Sequence, residues 1–419
     1  MLVPLRRSVT GTCGSKAGAL GALLRAGLPV PDGFVVPFAA YLDAVRDLDL
    51  GRLTGEPDDA ARRVIEAGPA PLIDALARAL GRLGDPPVAV RSSAAKEDTA
   101  QASAAGQHDS FLAVHGADEV ARAVRACWAS LFSPRAIAYR AAPGHEPSGD
   151  LLMAVIVQRH VDAEISGVMF TPAHPGEATR IEASWGLGPS IVEGRVTPDA
   201  YHVAGDGSVT RTVADKRQRL DRRLDRRLDR RLDRRGTRLV VRDVPAAART
   251  RPVIDDTTAR RLAELGKRVS DALGGPQDVE WAIEDGRTWI LQARPITAAP
   301  PPPILPYGAP GEATLTGVPG SHGTVTGAAR IVRGYGDFAR VRPGDILVCP
   351  FTDPAWTPLL RIAGGVVTET GGVLSHAAIV AREHGIPAVL GVPDATSRLR
   401  DDTVITVDGT TGTVTTADA

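Results

Sequence analysis

The chain has 419 residues, enough for two or three domains, and its 49 Lys and Arg balance 49 Asp and Glu, so attraction of the whole molecule to nucleic acid or to an anionic membrane is not expected. Cys13, Cys127 and Cys349 are its only cysteines and none are close in sequence, which argues against a disulfide framework or a cysteine zinc site and fits a reducing, cytoplasmic compartment. No apolar run reaches the length of about 18 residues that a membrane span needs.

The N-terminal "MLVPLRRSVTGTCGSKAGALGALL" imitates a signal peptide weakly, but Lys16 and four glycines interrupt it and no clean apolar core precedes a cleavage site. In "GSKAGALGALLRAGLPVPDGF", residues 14–34, Ser15 can cap a helix running to about Ala26, closed by Gly27 and Pro29. Lys16 then stands in the first turn, against the helix dipole, and an anionic phosphate would explain it where stability does not. Only Lys16, Lys96, Lys216 and Lys267 are lysines, so each one merits inspection.

In "VAVRSSAAKEDTAQASAAGQHDSFLAV", residues 88–114, an apolar strand ends at Arg91 and a small-residue loop, Ala100 to Gly106, precedes a second strand. Such a loop can lay N–H groups over phosphates while Arg91 makes a bidentate contact. It does not match the Walker pattern, and a plain surface loop would read the same way. "LLMAVIVQRHV" reads as a further strand. "IEASWGLGPSIVEGRVTPDAYHV", residues 181–203, adds a Gly-rich turn expected near the same site.

Residues 220–235 are "LDRRLDRRLDRRLDRR", four copies of one tetrapeptide. As a helix it stacks Asp on Asp and Arg on Arg at i,i+4, which repel. A basic arm is conceivable, a solvated surface insertion is the reading preferred, and no role is assigned. "TTARRLAELGKRVSDALGG" reads as an amphipathic helix with Leu262, Leu265, Val269 and Leu273 on one stripe and Gly274 as its stop.

"QDVEWAIEDGRTWILQARPIT", residues 277–297, reads as a hairpin. A two-residue Asp285-Gly286 loop would put Glu280 and Gln292 on opposite faces. A three-residue loop, Glu284-Asp285-Gly286, puts Glu280, Gln292 and Arg294 on one face and Val279, Trp281, Ile283 and Leu291 on the other; this register is the one expected. Oxygen ligands beside a guanidinium suit Mg²⁺ and its phosphates, although an exposed hairpin face would carry the same residues.

"AAPPPPILPYGAP", residues 298–310, is the clearest boundary: thirteen residues of stiff, extended character reach roughly 40 Å at about 3.1 Å each. Beyond it, "GTVTGAARIV", "DILVCPF" and "GGVVTE" read as short strands and "DDTVITVDGTTGTVT" as a hairpin, giving a small α/β domain. In "TETGGVLSHAAIVAREHG", residues 368–385, Ser375 can cap a helix that Gly385 and Pro387 end. His376 thus lies at a helix N-terminus, where the dipole favours a phosphoryl group on the ring, opposes imidazolium and leaves a neutral nucleophile. The paired glycines allow a large group to come close. A histidine merely packed near a cap would look the same.

Together "GSKAGAL", "VRSSA", "SAAGQHDSFL", "QDVEWA", "LQARPIT" and "GGVLSHAAIVARE", in that order, resemble the phosphohistidine phosphotransferases related to pyruvate phosphate dikinase, phosphoenolpyruvate synthase and rifampicin phosphotransferase; the Ser before the histidine is closer to the rifampicin enzymes. The resemblance covers nearly the whole chain. It implies a mixed α/β and α+β multidomain fold: an ATP-grasp-type nucleotide-binding domain over residues 1–298 with the repeat insertion at 220–235, a proline-rich linker over 299–310, and a small swivelling β/β/α phosphohistidine domain over 311–419.

It further implies that Lys16, Arg91, Gly106 and Gln107 hold ATP, that Glu280 and Gln292 bind nucleotide and Mg²⁺, that Arg294 clamps phosphate, and that His376 is the nucleophile in a loop supported by Thr368, Gly371, Gly372 and Ser375. ATP would phosphorylate His376 with release of AMP and phosphate. The phosphoryl group would pass to a small-molecule acceptor, pyruvate-like or an antibiotic or natural-product hydroxyl. The segment "PFTDPAWTPLL", residues 350–360, fits the same domain, with no chemical role given to Asp353 or Trp356. Family members carry a third, acceptor-binding domain that has no room here, so the expectation is a two-domain form whose acceptor binds between the domains or on a separate partner subunit. A condensing ligase of the prodiginine-synthetase type and a phosphocarrier without acceptor chemistry are the alternatives.

Overall fold

A computed structural model describes residues 1–48, 60–68, 72–95, 109–133, 136–137, 151–223, 239–297 and 314–416. Gly106, Gln107, the proline-rich linker and most of the tetrapeptide repeat lie outside the described residues. The chain divides into two compact units, one of Met1–Glu164, Leu220–Arg242 and Glu264–Pro295, the other of Ile165–Arg219, Asp243–Ala263 and Ile296–Ala419. Residues 165–219 and 243–263 group with the C-terminal part.

In the first unit an antiparallel sheet has the order β1 (Val3–Pro4), β2 (Gly33–Val36), β5 (Met153–Arg159), β3 (Val88–Ala94), β4 (Ser110–Val114). Alternation decides the two faces of β3. Val88, Val90 and Ala94 enter an apolar core with Phe34, Met153 and Trp128, the last from helix α2 (Ala117–Ala129). Arg91 and Ser93, on odd positions, point to the opposite side. There β3 meets α1 (Thr10–Arg25), which also packs on β13 (Arg287–Pro295) of the hairpin with β12 (Gln277–Glu284).

In the second unit an antiparallel run joins β6 (Ile165–Phe170), β7 (Thr179–Trp185), β8 (Asp199–Val203) and β9 (Val209–Thr212). Helix α3 (Pro189–Val192) lies in the β7–β8 connection. An eight-stranded sheet follows in the order β14 (Thr314–Thr316), β21 (Thr413–Thr416), β20 (Val404–Asp408), β16 (Thr324–Ile331), β17 (Ile346–Cys349), β18 (Gly365–Thr368), β19 (Ala388–Leu390), β15 (Val318–Ser321). Its centre, β16 to β19, is parallel, and β18 reaches β19 through helix α6 (His376–His384). Loops at the carboxyl ends of adjacent parallel strands converge, the usual place for a site in such sheets; here they are those after β17 and β18. Strand β10 (Gln218–Arg222) contains the first three residues of the repeat, and β11 (Leu239–Asp243) follows it. The expected amphipathic helix is α4 (Asp256–Leu273), with Leu262, Leu265 and Val269 buried and Gly274 left-handed after it. Helix α5 (Thr357–Leu360) follows the β17 loop.

Val168, Phe170, Ile191 and Val196 form one apolar cluster with Leu374 and Ile379. Each such side chain stabilises by about 1.5–3 kcal/mol when fully buried. This explains why residues 165–219 group with the histidine-bearing part rather than with the sheet of β1 to β5.

Candidate functional site

The first constellation is built by three segments of the first unit. Arg91 donates through Nη1 to the Leu291 carbonyl at 2.6 Å and through Nη2 to Gln292 Oε1, while Glu280 Oε2 lies 3.5 Å from Nη2. Glu280 and Gln292 are therefore on one face, as expected, but by a different device. The loop is the two-residue Asp285-Gly286 turn, with φ of 49° and 70°, and Glu284 pairs with Arg287. A bulge then shifts the register between Glu280 and Trp281, setting Glu280 opposite Gln292 and Trp281 opposite Ile290. The expected three-residue loop is corrected. Leu291, expected in the core, is the extra residue, and Ile290 takes the buried place. A bulge adds one residue and re-aims those beyond it, so it restores the face that the tight turn would have lost.

Arg294 is on the same face but engaged: its Nε and Nη2 both reach Asp278 Oδ2 at 2.8 Å, and both residues are buried. Asp278 was missed in the sequence, although its position two residues before Glu280 puts it on that face.

Lys16 stands just after a break in α1, where Gly14 adopts φ 81° and ψ 167°. A Cβ on Gly14 would come within 2.2 Å of the Ser93 carbonyl oxygen, so only glycine fits. The expected cap is corrected here: Ser93, from β3, caps the second helical segment from outside, its Oγ accepting from the Ala17 N–H at 3.1 Å and donating to the Cys13 carbonyl at 2.8 Å. The Ser15 hydroxyl reaches the Ala94 carbonyl at 3.5 Å. Period-two reading of "VRSSA" would have put Ser93 beside Arg91. Ser93→Ala is expected to cost about 1 kcal/mol, as loss of a cap does, read as a lower urea midpoint.

The second constellation surrounds His376, which is buried at the first position of α6. Thr352 Oγ1 lies 3.0 Å from Nδ1, and Thr357 Oγ1 3.5 Å from Nε2. Thr357 already donates to the Pro354 carbonyl at 2.9 Å, so its proton is committed elsewhere. The shorter contact, at Nδ1, orients the ring. Both threonines come from the β17 loop and α5, within a segment flagged in the sequence without a role; hydroxyls after an apolar strand were the available signal. Ser375 occupies the cap position, but its hydroxyl donates to the Gly372 carbonyl at 2.8 Å instead of accepting from the helix. The expected side-chain cap is thereby corrected, and that oxygen does not fill the anion-favouring first turn. Gly385, at φ 65°, ends the helix as expected. Thr368 is buried and donates to the Thr370 carbonyl at 2.6 Å; Gly371 has φ 113°.

The close approach anticipated at the glycine pair is made by Glu182 of β7. Its carboxylate accepts from the N–H of Val373 at 2.6 Å and of Leu374 at 3.2 Å. Burial pushes this carboxyl up to about 7, against the pull of those two N–H groups and of Arg382 and Arg180. The Gly-rich segment 181–203 falls in the same compact unit as His376.

Two family descriptions match the chain: "Pyruvate phosphate dikinase, AMP/ATP-binding domain" over residues 10–302 and "PEP-utilising enzyme, mobile domain" over residues 341–412. The chain belongs to this family of pyruvate phosphate dikinase-type, PEP-utilising proteins. Similar proteins include a probable phosphoenolpyruvate synthase of Methanothermobacter thermautotrophicus, 38% identical over 98% of this chain and 62% of its own length. Another, of Archaeoglobus fulgidus, is 38% identical over 96% of this chain and 56% of its own. The phosphoenolpyruvate synthase of Aeropyrum pernix is 36% identical over 96% and 56%. The chain therefore spans little more than half the length of these relatives. Among the described residues no helix is long and apolar enough to cross a membrane.

Proposed function

We propose that this chain is an ATP-dependent dikinase-type phosphotransferase in which His376 carries the phosphoryl group. The supporting observation is that Arg91 converges with Glu280 and Gln292, about 200 residues further along the sequence, in a chain where His376, buried at a helix N-terminus, is held through Nδ1. In this reading residues 1–298 form an ATP-grasp-type domain, 299–310 a linker and 311–419 a swivelling domain. Lys16, Arg91, Gly106 and Gln107 hold the nucleotide phosphates, and Arg294, kept in place by Asp278, adds positive potential beside them. His376 Nε2 takes the β-phosphoryl group, AMP leaves, and water releases the γ-phosphate.

The donors at the hairpin fit Mg²⁺. Among the described residues no group of three or more His, Cys, Asp or Glu could hold a metal ion, but this cation uses one or two carboxylates and completes its shell with water and phosphate oxygens. Glu280 and Gln292 would hold it. Bound there, it would neutralise charge on the transferring phosphoryl oxygens.

The relatives' names support a pyruvate-like acceptor, received on this chain or on a partner. The expected result is that labelled AMP exchanges into ATP only when phosphate is present and His376 is intact. Absence of exchange in purified protein would reduce the chain to a carrier without nucleotide chemistry.

A further inference from the structure

We propose that Glu182 is the positioning residue that seats the histidine loop for loading by ATP. The inference rests on the reading of His376 as phosphoryl carrier. Glu182 lies in the part matched as AMP/ATP-binding domain, and the loop it grips lies in the part matched as mobile domain. A domain that moves needs a defined place on the domain that loads it, and this contact supplies one.

The grip is specific. The carboxylate binds two successive backbone N–H groups, those of Val373 and Leu374, three and two residues before His376. The Val373 carbonyl is held from the other side by Arg382 Nη1 at 2.8 Å. A Cβ on Gly372 would lie 2.4 Å from Glu182 Oε1, so the approach requires glycine on sterics alone; φ there is not left-handed. Around this core Thr370 Oγ1 donates to the Gly194 carbonyl at 2.6 Å, and the Arg195 guanidinium stacks 4.6 Å from the Phe351 ring centre. The apolar cluster of Val168, Phe170, Ile191 and Val196 with Leu374 and Ile379 closes it. A carboxylate on two N–H groups fixes a loop in direction as well as distance, which a greasy contact alone does not.

Acidity gives the seat a second signature. The charged groups acting on Glu182 are Arg180 on its own strand and Arg382 from α6, both cationic throughout. The seated carboxyl titrates at about 7 because burial penalises its charge, against an ordinary 4.5 when released. Its pKa is raised in the seated state, so seating takes up a proton. The seat is strongest in acid and weakens as pH rises through about 7.

The test uses the full chain with two readouts. Amide hydrogen exchange at Val373 and Leu374 needs no nucleotide. Glu182→Ala is expected to reduce their protection about tenfold, because both N–H groups lose their acceptor. Gly372→Ala, which leaves Glu182 untouched, should do the same, and the double variant should lose no more than either alone. Protection corrected for intrinsic exchange should fall in wild type as pH rises through about 7 and stay level in Glu182→Gln. Loading of phosphate from β-labelled ATP should slow in Glu182→Ala with the KM for ATP unchanged. Unchanged protection in both alanine variants, or lost protection with loading unaltered or faster, would overturn the proposal. If no variant and no wild-type protein takes up label, the phosphoryl-carrier reading fails, while the exchange data still decide whether Glu182 holds the loop.

Discussion

Arg91→Ala is expected to slow phosphoryl transfer from ATP to His376 by about 10²–10³-fold, the usual consequence of removing one preorganised donor from a developing negative charge. The guanidinium ties the Leu291 carbonyl to Gln292 Oε1 and approaches Glu280, so its loss removes a phosphate contact and frees the pair proposed for the metal. Arg91→Lys separates these effects. A lysine supplies the charge but cannot bridge two acceptors in a fixed plane, and is expected to recover only part of the rate. The measurement is the pre-steady-state rate of label incorporation, with nucleotide affinity determined beside it. A rate unchanged in Arg91→Ala would remove Arg91 from the site.

The largest stability effect is expected at a buried ion pair. Lys216 and Asp199 are both fully buried, with Lys216 Nζ donating to Asp199 Oδ1 at 2.5 Å and to the Ala214 carbonyl at 2.8 Å. The carboxylate also accepts from the N–H of Ala214 and of Val253, both at 2.9 Å, so it ties three stretches of chain together. Lys216→Ala would leave that carboxylate charged and unpaired in the interior, at a cost of about 3–5 kcal/mol. Adding Asp199→Asn removes the charge and keeps an acceptor for one of the two N–H groups, and is expected to restore part of the loss. Urea midpoints for the single and double variants check this; an unchanged midpoint in Lys216→Ala would contradict it. The scarcity of lysine made this residue conspicuous in the sequence, and its surroundings are those of a buried ion pair.

The parts of the fold legible in the sequence were those written in local pattern. Apolar β3, the stripe of α4 and the Gly-Gly turn into α6 each follow from periodicity and end signals within a few residues. The hairpin shows where this stops. The shared face of Glu280 and Gln292 was readable, but a tight Asp-Gly turn with a later bulge and a longer loop give that face equally well, and only pairing across the strands distinguishes them. Caps failed in the same manner. Ser15 and Ser375 stand where a cap belongs, but Ser93, about 80 residues away, serves the first helix and the Gly372 carbonyl takes the hydroxyl of the second. Thr352 and Glu182 are tertiary partners of the histidine loop, contributed by the loop after β17 and by β7, whose placement nothing local encodes. The apolar cluster that joins β6 and α3 to Leu374 and Ile379 was not legible either, because its members are far apart in sequence.

Labelling with ATP carrying ³²P at the β or at the γ position, on wild type and His376→Ala, tests the central claim most directly. The account predicts acid-labile label on the wild-type protein from the β position alone and none on the variant. Label arriving only from the γ position, or β-label undiminished in His376→Ala, would contradict it.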